Sequence, residues 1–142
     1  MLYLDASIIL ALLLEEPGSE RLQNFLESAE PEGLAISGWI DAEVAGALSL
    51  KVRTELLSAE QQSDITAVWR RWRHGLIHLP IGAAHFEVAA DYAGRPDLAL
   101  RAADALHLAV AQTARCKMVT FDRGMARAAT QLGVQLAGIG LA

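Results

Sequence analysis

Four carboxylates stand at separate places along the chain, each beside apolar sequence of the kind that forms buried elements. They are Asp5, Glu43, Asp104 and Asp122. Two of them directly follow short hydrophobic runs, and the other two lie inside Ala-rich stretches. Burying a carboxylate without a partner costs several kcal/mol or forces the group to protonate. The set therefore indicates a positively charged ligand, and a divalent cation is the economical candidate.

Asp5 and Asp122 are each compatible with a purely structural role. Both precede predicted helices, and Asp at an N-cap is worth roughly 1 kcal/mol. Ser7 could cap the first helix equally well, which would leave Asp5 to face a pocket. Thr120, two residues before Asp122, could hydrogen-bond a carboxylate, a metal-bound water or a substrate phosphate. Taken with the other acids, Asp5 and Asp122 are predicted to belong to one site.

Glu43 competes with Asp41 for a place in this site. Glu43 lies at helical spacing from Ile40 and Ala47, which predicts that it shares an apolar face with them. Leu50 continues the same face. Asp41 falls in the first turn of that helix, where an acid gains from the helix dipole without any catalytic role. Because the helix is apolar nearly all round, Asp41 remains an alternative site residue, but Glu43 is the favoured one.

Asp104 and His107 are the only polar residues between positions 102 and 109. Their spacing of three places them on one helical face. We interpret His107 as a buried or supporting histidine rather than a ligand. Asp97 follows Arg95 and Pro96 and is interpreted as a helix N-cap or a loop acid.

Apolar runs bounded by turn residues alternate with longer helical patterns along the whole sequence. Strands are predicted at about 2–5, 34–37, 76–80, 117–121 and 134–137. Helices are predicted near 7–14, 18–29, 39–53, 58–74, 82–93, 99–114 and 123–132. This alternation predicts a single α/β domain over residues 1–142, with a parallel sheet covered by helices on both faces.

A parallel sheet would give the four acids a common location. Asp5 and Asp122 directly follow strands, whereas Glu43 and Asp104 lie early in helices that start at the same edge. Ligands of open parallel sheets bind beyond the carboxyl ends of the strands. All four acids are therefore expected to converge there, and their mutual repulsion without metal should raise some of their pKa values.

Composition sets bounds on the class of protein. Hydrophobic residues make up 53% of the chain and charged residues 20%, which excludes disorder. A single cysteine excludes an internal disulfide framework and a Cys-rich zinc site. The longest apolar run, residues 8–14, is too short to cross a bilayer, so a cytoplasmic protein is expected. The net charge of −5 is uneven, because residues 65–142 carry nine bases against five acids.

The order and spacing of these residues resemble the PIN domain family, and more narrowly the VapC-type toxins of bacterial toxin–antitoxin pairs. The resemblance covers nearly the whole chain. It is carried by Asp5-x-Ser7, Glu43, Asp104-Ala-x-His107 and Thr120-x-Asp122. The segment from Arg101 to Ala109 is its most specific part.

The resemblance implies a Mg²⁺- or Mn²⁺-dependent endoribonuclease with a five-stranded parallel sheet. The family's metal-binding acids would fall on Asp5, Glu43, Asp104 and Asp122, and its hydroxyl groups on Ser7 and Thr120. The implied partners are an RNA substrate, an antitoxin and a second copy of the chain. The basic cluster at 70–74 either stabilises the C-terminal end of a helix through the helix dipole or contacts the RNA backbone.

Two other classes of protein remain as alternatives. A metal-dependent phosphatase or phospho-acceptor domain also places an Asp after its first strand, but usually with a second Asp there and a downstream lysine. Here Ser7 stands two residues after Asp5, and Lys117 begins a strand rather than ending one. In a non-catalytic binding module, the acids would merely cap helices.

Overall fold

The computed structural model describes residues 1–139 and has a four-stranded parallel sheet at its centre. The strands are β1 (Leu2–Leu4), β2 (Leu34–Ser37), β3 (Ile77–Leu79) and β4 (Lys117–Val119). All three residues of β1 are buried, and successive strand residues face opposite sides. The central strand is therefore covered on both faces, as its continuous apolar sequence predicts.

The strand order is β3-β2-β1-β4, and every pair is parallel. The chain runs from β1 outward to β2 and β3, and then returns to the other side of β1 as β4. The order therefore reverses between β1 and β4, which is where open α/β sheets bind ligands. A backbone hydrogen bond from Asp5 N to Val119 O (3.3 Å) continues the contact of these two strands into the following loops.

Seven α-helices connect the strands within residues 1–139. They are α1 (Ala6–Leu13), α2 (Ser19–Ala29), α3 (Gly38–Arg53), α4 (Ala59–Trp72), α5 (Ala83–Ala93), α6 (Ala102–Thr113) and α7 (Arg123–Leu132). Every predicted helix is confirmed, with ends that move by up to three residues. In this described part of the chain, no helix is both long enough and apolar enough to cross a membrane.

The predicted fifth strand at 134–137 is wrong for the described residues. That segment makes a single parallel bridge, Met118 with Leu136, at the outer edge of β4. Met118 N donates to Gln135 O (2.8 Å), and Ala137 N donates to Met118 O (2.9 Å). Leu136 is 40% exposed, so little apolar burial is available to extend the pairing into a strand.

Candidate active site at the carboxyl edge

Asp5 is held at the end of β1 by hydroxyl and amide donors. Its Oδ1 accepts from the Ser7 hydroxyl (2.6 Å) and from Ile8 N (3.2 Å), which makes Asp5 the N-cap of α1. Its Oδ2 accepts from the Thr120 hydroxyl. The sequence had allowed Ser7 to cap α1 in place of Asp5, but in the structure Asp5 is the N-cap. The residue is only 2% exposed.

Ser7 and Thr120 join the loops that follow β1 and β4. Phe121 N donates to Ser7 Oγ (3.0 Å), and Asp122 N donates to Thr120 Oγ1 (3.0 Å). Each hydroxyl thus accepts from the β4 loop while it donates to Asp5. Thr120 was expected to hydrogen-bond a carboxylate, a metal-bound water or a substrate phosphate. In the structure its hydroxyl donates to the carboxylate of Asp5.

Burial dominates the electrostatics of Asp5. Desolvation raises the pKa of the Asp5 carboxyl, and the hydrogen bonds from Ser7 and Thr120 offset only part of this increase. The ionised carboxylate is therefore destabilised by its position in the folded chain. Such perturbation of a buried acid is characteristic of functional sites.

Asp104 and Asp122 lie on either side of the Arg101 guanidinium. Arg101 Nε is 3.4 Å from Asp104 Oδ2, and Arg101 Nη2 is 3.8 Å from Asp122 Oδ2. Asp122 also caps α7 by accepting from Met125 N (2.8 Å). The Arg101 side chain is 82% exposed and makes neither contact at close range, so it is weakly held.

The pKa of Asp104 is raised, first by partial burial and then by the charge of Asp122, while Arg101 acts in the opposite direction. The repulsion expected between the acids is present for this pair. Burial is nevertheless the largest cause of the raised pKa of both Asp5 and Asp104.

Glu43 contacts His107, not an apolar stripe. Glu43 Oε1 is hydrogen-bonded to His107 Nε2, and His107 is 1% exposed. The buried residues of α3 are Ile40, Val44 and Leu48, whereas Leu50 is 51% exposed. The predicted face of Glu43 with Leu50 is therefore wrong, because in an all-apolar helix the spacing does not single out one face. The burial of His107 and its hydrogen bond to Glu43 agree with the interpretation of His107 as a buried or supporting histidine.

Asp41 and Asp97 have partners of their own. Asp41 accepts from Trp69 Nε1 (3.0 Å) and from Arg73 Nη2 (2.7 Å), which joins α3 to the end of α4. Asp97 makes an exposed ion pair with Arg95 (2.7 Å) and caps no helix. Neither acid is part of the arrangement around Asp5 and Asp104.

The structure brings the predicted residues to one edge of the sheet in three groups: Asp5 with its hydroxyls, Asp104 with Asp122, and Glu43 with His107. Among residues 1–139, no three Asp, Glu, His or Cys side chains lie close enough to enclose an ion. The donors are carboxylate oxygens, which suit a hard divalent cation. The guanidinium between Asp104 and Asp122 shows that this pair accommodates positive charge.

Three residues of the edge were not identified from the sequence. Arg101 precedes Asp104 by three residues, a helical ion-pair spacing that could have indicated it. Tyr3 and Ser37 hydrogen-bond each other (2.8 Å), and Tyr3 also contacts His107 (2.7 Å). The only local signal was a tyrosine inside an apolar strand, whose hydroxyl needs a partner when buried.

Comparison with known proteins agrees with this architecture. The PIN domain family model matches residues 2–131, and the chain belongs to the PIN domain family. No curated protein sequence matches the chain.

Solved structures with a similar fold cover nearly the whole chain. FitAcB from Neisseria gonorrhoeae is 21% identical over 100% of both chains, with a TM-score of 0.73. VapBC2 from Rickettsia felis, bound to a DNA fragment from its promoter, is 16% identical over 96% of both chains (TM-score 0.70). VapC20 of Mycobacterium tuberculosis, described as a sarcin–ricin loop cleaving toxin, is 18% identical over 90% of this chain and 95% of its own (TM-score 0.68).

Replacing Asp5 with Asn should stabilise the metal-free protein at neutral pH. Burial raises the pKa of Asp5 in the folded state, so its favourable contribution is present below the unfolded pKa and is lost as the pH rises through the folded pKa. We therefore expect Asp5→Asn to have a higher Tm than the wild-type protein at neutral pH. Thermal unfolding of both proteins at several pH values measures this gain, which should shrink as the pH falls.

Asp97→Asn is the matched control. The Arg95 hydrogen bond lowers the pKa of Asp97, so the control should not stabilise the protein at neutral pH. A loss of stability in Asp5→Asn at neutral pH would contradict the electrostatic cost assigned to this carboxylate.

Proposed function

We propose that the protein is a Mg²⁺- or Mn²⁺-dependent endoribonuclease, a hydrolase of phosphodiester bonds, and the toxin of a type II toxin–antitoxin pair. The observation that carries the proposal is Asp5, a buried and destabilised carboxylate at the switch point of a PIN fold. Asp104, Asp122 and Glu43 supply further carboxylates at the same edge. A cap on the protein surface would serve α1 without the cost of burial.

The proposed roles follow from how each acid is held. Asp5 and Asp104 are the direct metal ligands, because burial raises the pKa of both carboxyls and a cation beside them would stabilise their ionised forms. Glu43 and Asp122 complete the shell or orient the attacking water. A bound divalent ion lowers the pKa of water and neutralises charge on the scissile phosphate. Ser7 and Thr120 fix the orientation of Asp5 by donating to its two oxygens.

The phosphatase or phospho-acceptor alternative loses support in the structure. Lys117 lies at the start of β4 and pairs with Glu32 (Nζ to Oε2, 3.2 Å), at the edge opposite to Asp5.

RNA is the proposed substrate, by analogy with the similar structure described as a sarcin–ricin loop cleaving toxin. Arg70 and Arg71 are exposed at the end of α4 and are available for backbone phosphates. Arg73 of the same cluster is engaged by Asp41, so it is assigned a structural role. An RNA substrate also implies the cytoplasm as the place of action.

The proposed antitoxin binds in an apolar groove between α1, α2 and α4. The groove has a volume of about 500 Å³, and its apolar lining includes Leu13, Ile65, Val68 and Trp72. The described lining residues also include four acids and no base: Glu15, Glu27, Glu30 and Asp64. This combination is complementary to an amphipathic helix with basic flanks. Two of the similar structures, FitAcB and VapBC2, are complexes of a toxin with an antitoxin.

A homodimer is also proposed. Apolar side chains are exposed outside the groove, including Phe86 on α5 (56%) and Ile77 on the edge strand β3 (45%). Such side chains are available for contact with a second copy of the chain.

Purified protein should cleave RNA only when Mg²⁺ or Mn²⁺ is present, and Asp104→Asn should reduce the cleavage rate by at least about 100-fold. The substitution removes a metal ligand and keeps the shape of the side chain. Cleavage of labelled RNA is measured with metal and with excess chelator. Asp97→Asn, which alters an acid outside the site, should cleave normally. Equal cleavage in chelator would exclude the metal mechanism.

Expression of the chain should arrest bacterial growth, and Val68→Arg should remain toxic while escaping its antitoxin. Val68 is 45% exposed in the groove, and a charge there would disrupt apolar docking without reaching the carboxylates. Growth is measured with and without co-expression of the protein from an adjacent small reading frame. Leu56→Arg, outside the groove, should still be neutralised by that protein. Neutralisation of Val68→Arg would place the antitoxin elsewhere.

Arg101→Gln should tighten Mg²⁺ binding by roughly two- to fivefold. Arg101 holds a positive charge between Asp104 and Asp122, and an exposed ion pair is worth roughly 0.2–1 kcal/mol. Titration calorimetry of the metal-free protein measures the affinity. Arg95→Gln, which breaks an ion pair away from the site, should leave it unchanged. Weaker Mg²⁺ binding by Arg101→Gln would contradict the proposal that the Arg101 guanidinium competes with Mg²⁺ for Asp104 and Asp122.

A further inference from the structure

We propose that Tyr3 and Ser37 are positioning residues that act through His107 to hold Glu43 in the orientation required for metal binding. The proposal rests on the proposed function, because it assigns Glu43 to the metal shell. Its observation is separate: a continuous chain of hydrogen bonds runs from Ser37 to the Glu43 carboxylate.

The chain of hydrogen bonds crosses the interior of the protein. Ser37 Oγ lies 2.8 Å from the Tyr3 hydroxyl, which lies 2.7 Å from His107 Nδ1. The other ring nitrogen, Nε2, is bonded to Glu43 Oε1. Tyr3 and Ser37 are fully buried and His107 is 1% exposed, so water does not compete for these contacts.

The chemistry of the groups gives the chain a direction. An ionised Glu43 only accepts, so His107 Nε2 carries the hydrogen of that bond. In the neutral imidazole, Nδ1 then accepts from the Tyr3 hydroxyl, which in turn accepts from Ser37. The Tyr3 hydroxyl has one hydrogen, which it donates to Nδ1, so its oxygen can accept from Ser37.

Ser37 shows that the arrangement is specific. It is the N-cap residue of α3, where a serine side chain normally accepts from the helix backbone. Its hydroxyl makes no such cap and is bonded to Tyr3 instead. This contact ties the start of the helix that carries Glu43 to the central strand β1.

The consequence for Glu43 is that one oxygen is fixed and the other is available. Oε1 is occupied by His107, and Oε2 has no hydrogen-bond partner among residues 1–139. Supporting hydrogen bonds of this kind orient metal-binding side chains, and their removal typically costs 10- to 100-fold in metal affinity or activity. Tyr3, on β1, thereby links the orientation of Glu43 to the strand that carries Asp5.

The hydrogen-bond chain itself is tested in the metal-free protein by ¹⁵N NMR of the imidazole. We expect His107 to be the Nε2–H tautomer, and we expect its Nδ1 resonance to shift in Tyr3→Phe, which removes only the hydroxyl. A Nδ1–H tautomer, or equal resonances for the two nitrogens as in an imidazolium, would overturn the direction of the chain.

The positioning role is tested by a double-mutant cycle on Mn²⁺ affinity, measured by titration calorimetry. Tyr3→Phe should weaken Mn²⁺ binding about tenfold in the wild-type background and have no further effect in the Glu43→Gln background. Tyr92→Phe, which removes a tyrosine hydroxyl bonded to Gln112 on α6, is the matched control and should bind normally. Equal losses in both backgrounds would show that Tyr3 acts only on general stability.

Variants of His107 separate orientation from packing. His107→Gln keeps a donor for Glu43 and should retain more Mn²⁺ affinity than His107→Leu, which keeps only bulk. Equal affinity of the two variants would overturn the role of the donor. Absence of Mn²⁺ binding by the wild-type protein would overturn the proposed function and this role of Glu43, whereas the NMR result decides the hydrogen-bond chain independently.

Discussion

The carboxylate of Asp5 accepts hydrogen bonds from two hydroxyls on different loops, and the rest of the carboxyl edge depends on this contact. Ser7 and Thr120 bind its two oxygens, and the same hydroxyls accept from the backbone of residues 121 and 122. The loop after β4 is thereby fixed to the loop after β1, and Asp122 is placed at the start of α7. A contact that costs stability through burial also sets the geometry of its neighbours.

The other acids of the carboxyl edge are held by different means. Asp104 and Asp122 share one exposed guanidinium, which lies 3.4 Å from the first carboxylate and 3.8 Å from the second. Glu43 is tied to a buried imidazole that cannot move without disturbing the core. The edge therefore combines a buried acid held by two hydroxyls, a pair of acids beside an exposed arginine, and an acid hydrogen-bonded to a buried histidine.

Much of this arrangement follows from local sequence. Strand-end acids and helix starts placed Asp5, Asp104 and Asp122 at one edge, because parallel strands share their carboxyl ends. The face of α3 was not predictable, since periodicity carries no information where nearly every position is apolar. The bridge at Leu136 depends on a single backbone pairing, and the bond between Tyr3 and His107 joins positions 104 apart. Contacts of that range leave no local pattern in the sequence.

The bond between Asp5 and Thr120 joins positions 115 apart, and β4 pairs directly with the central strand β1. During synthesis, the acid of the first strand therefore waits for its second hydroxyl until about 120 residues have left the ribosome. Such non-local closure is also a slow event in folding. Until β4 has emerged, a nascent chain consequently lacks both the Thr120 donor to Asp5 and the pairing of β4 with β1.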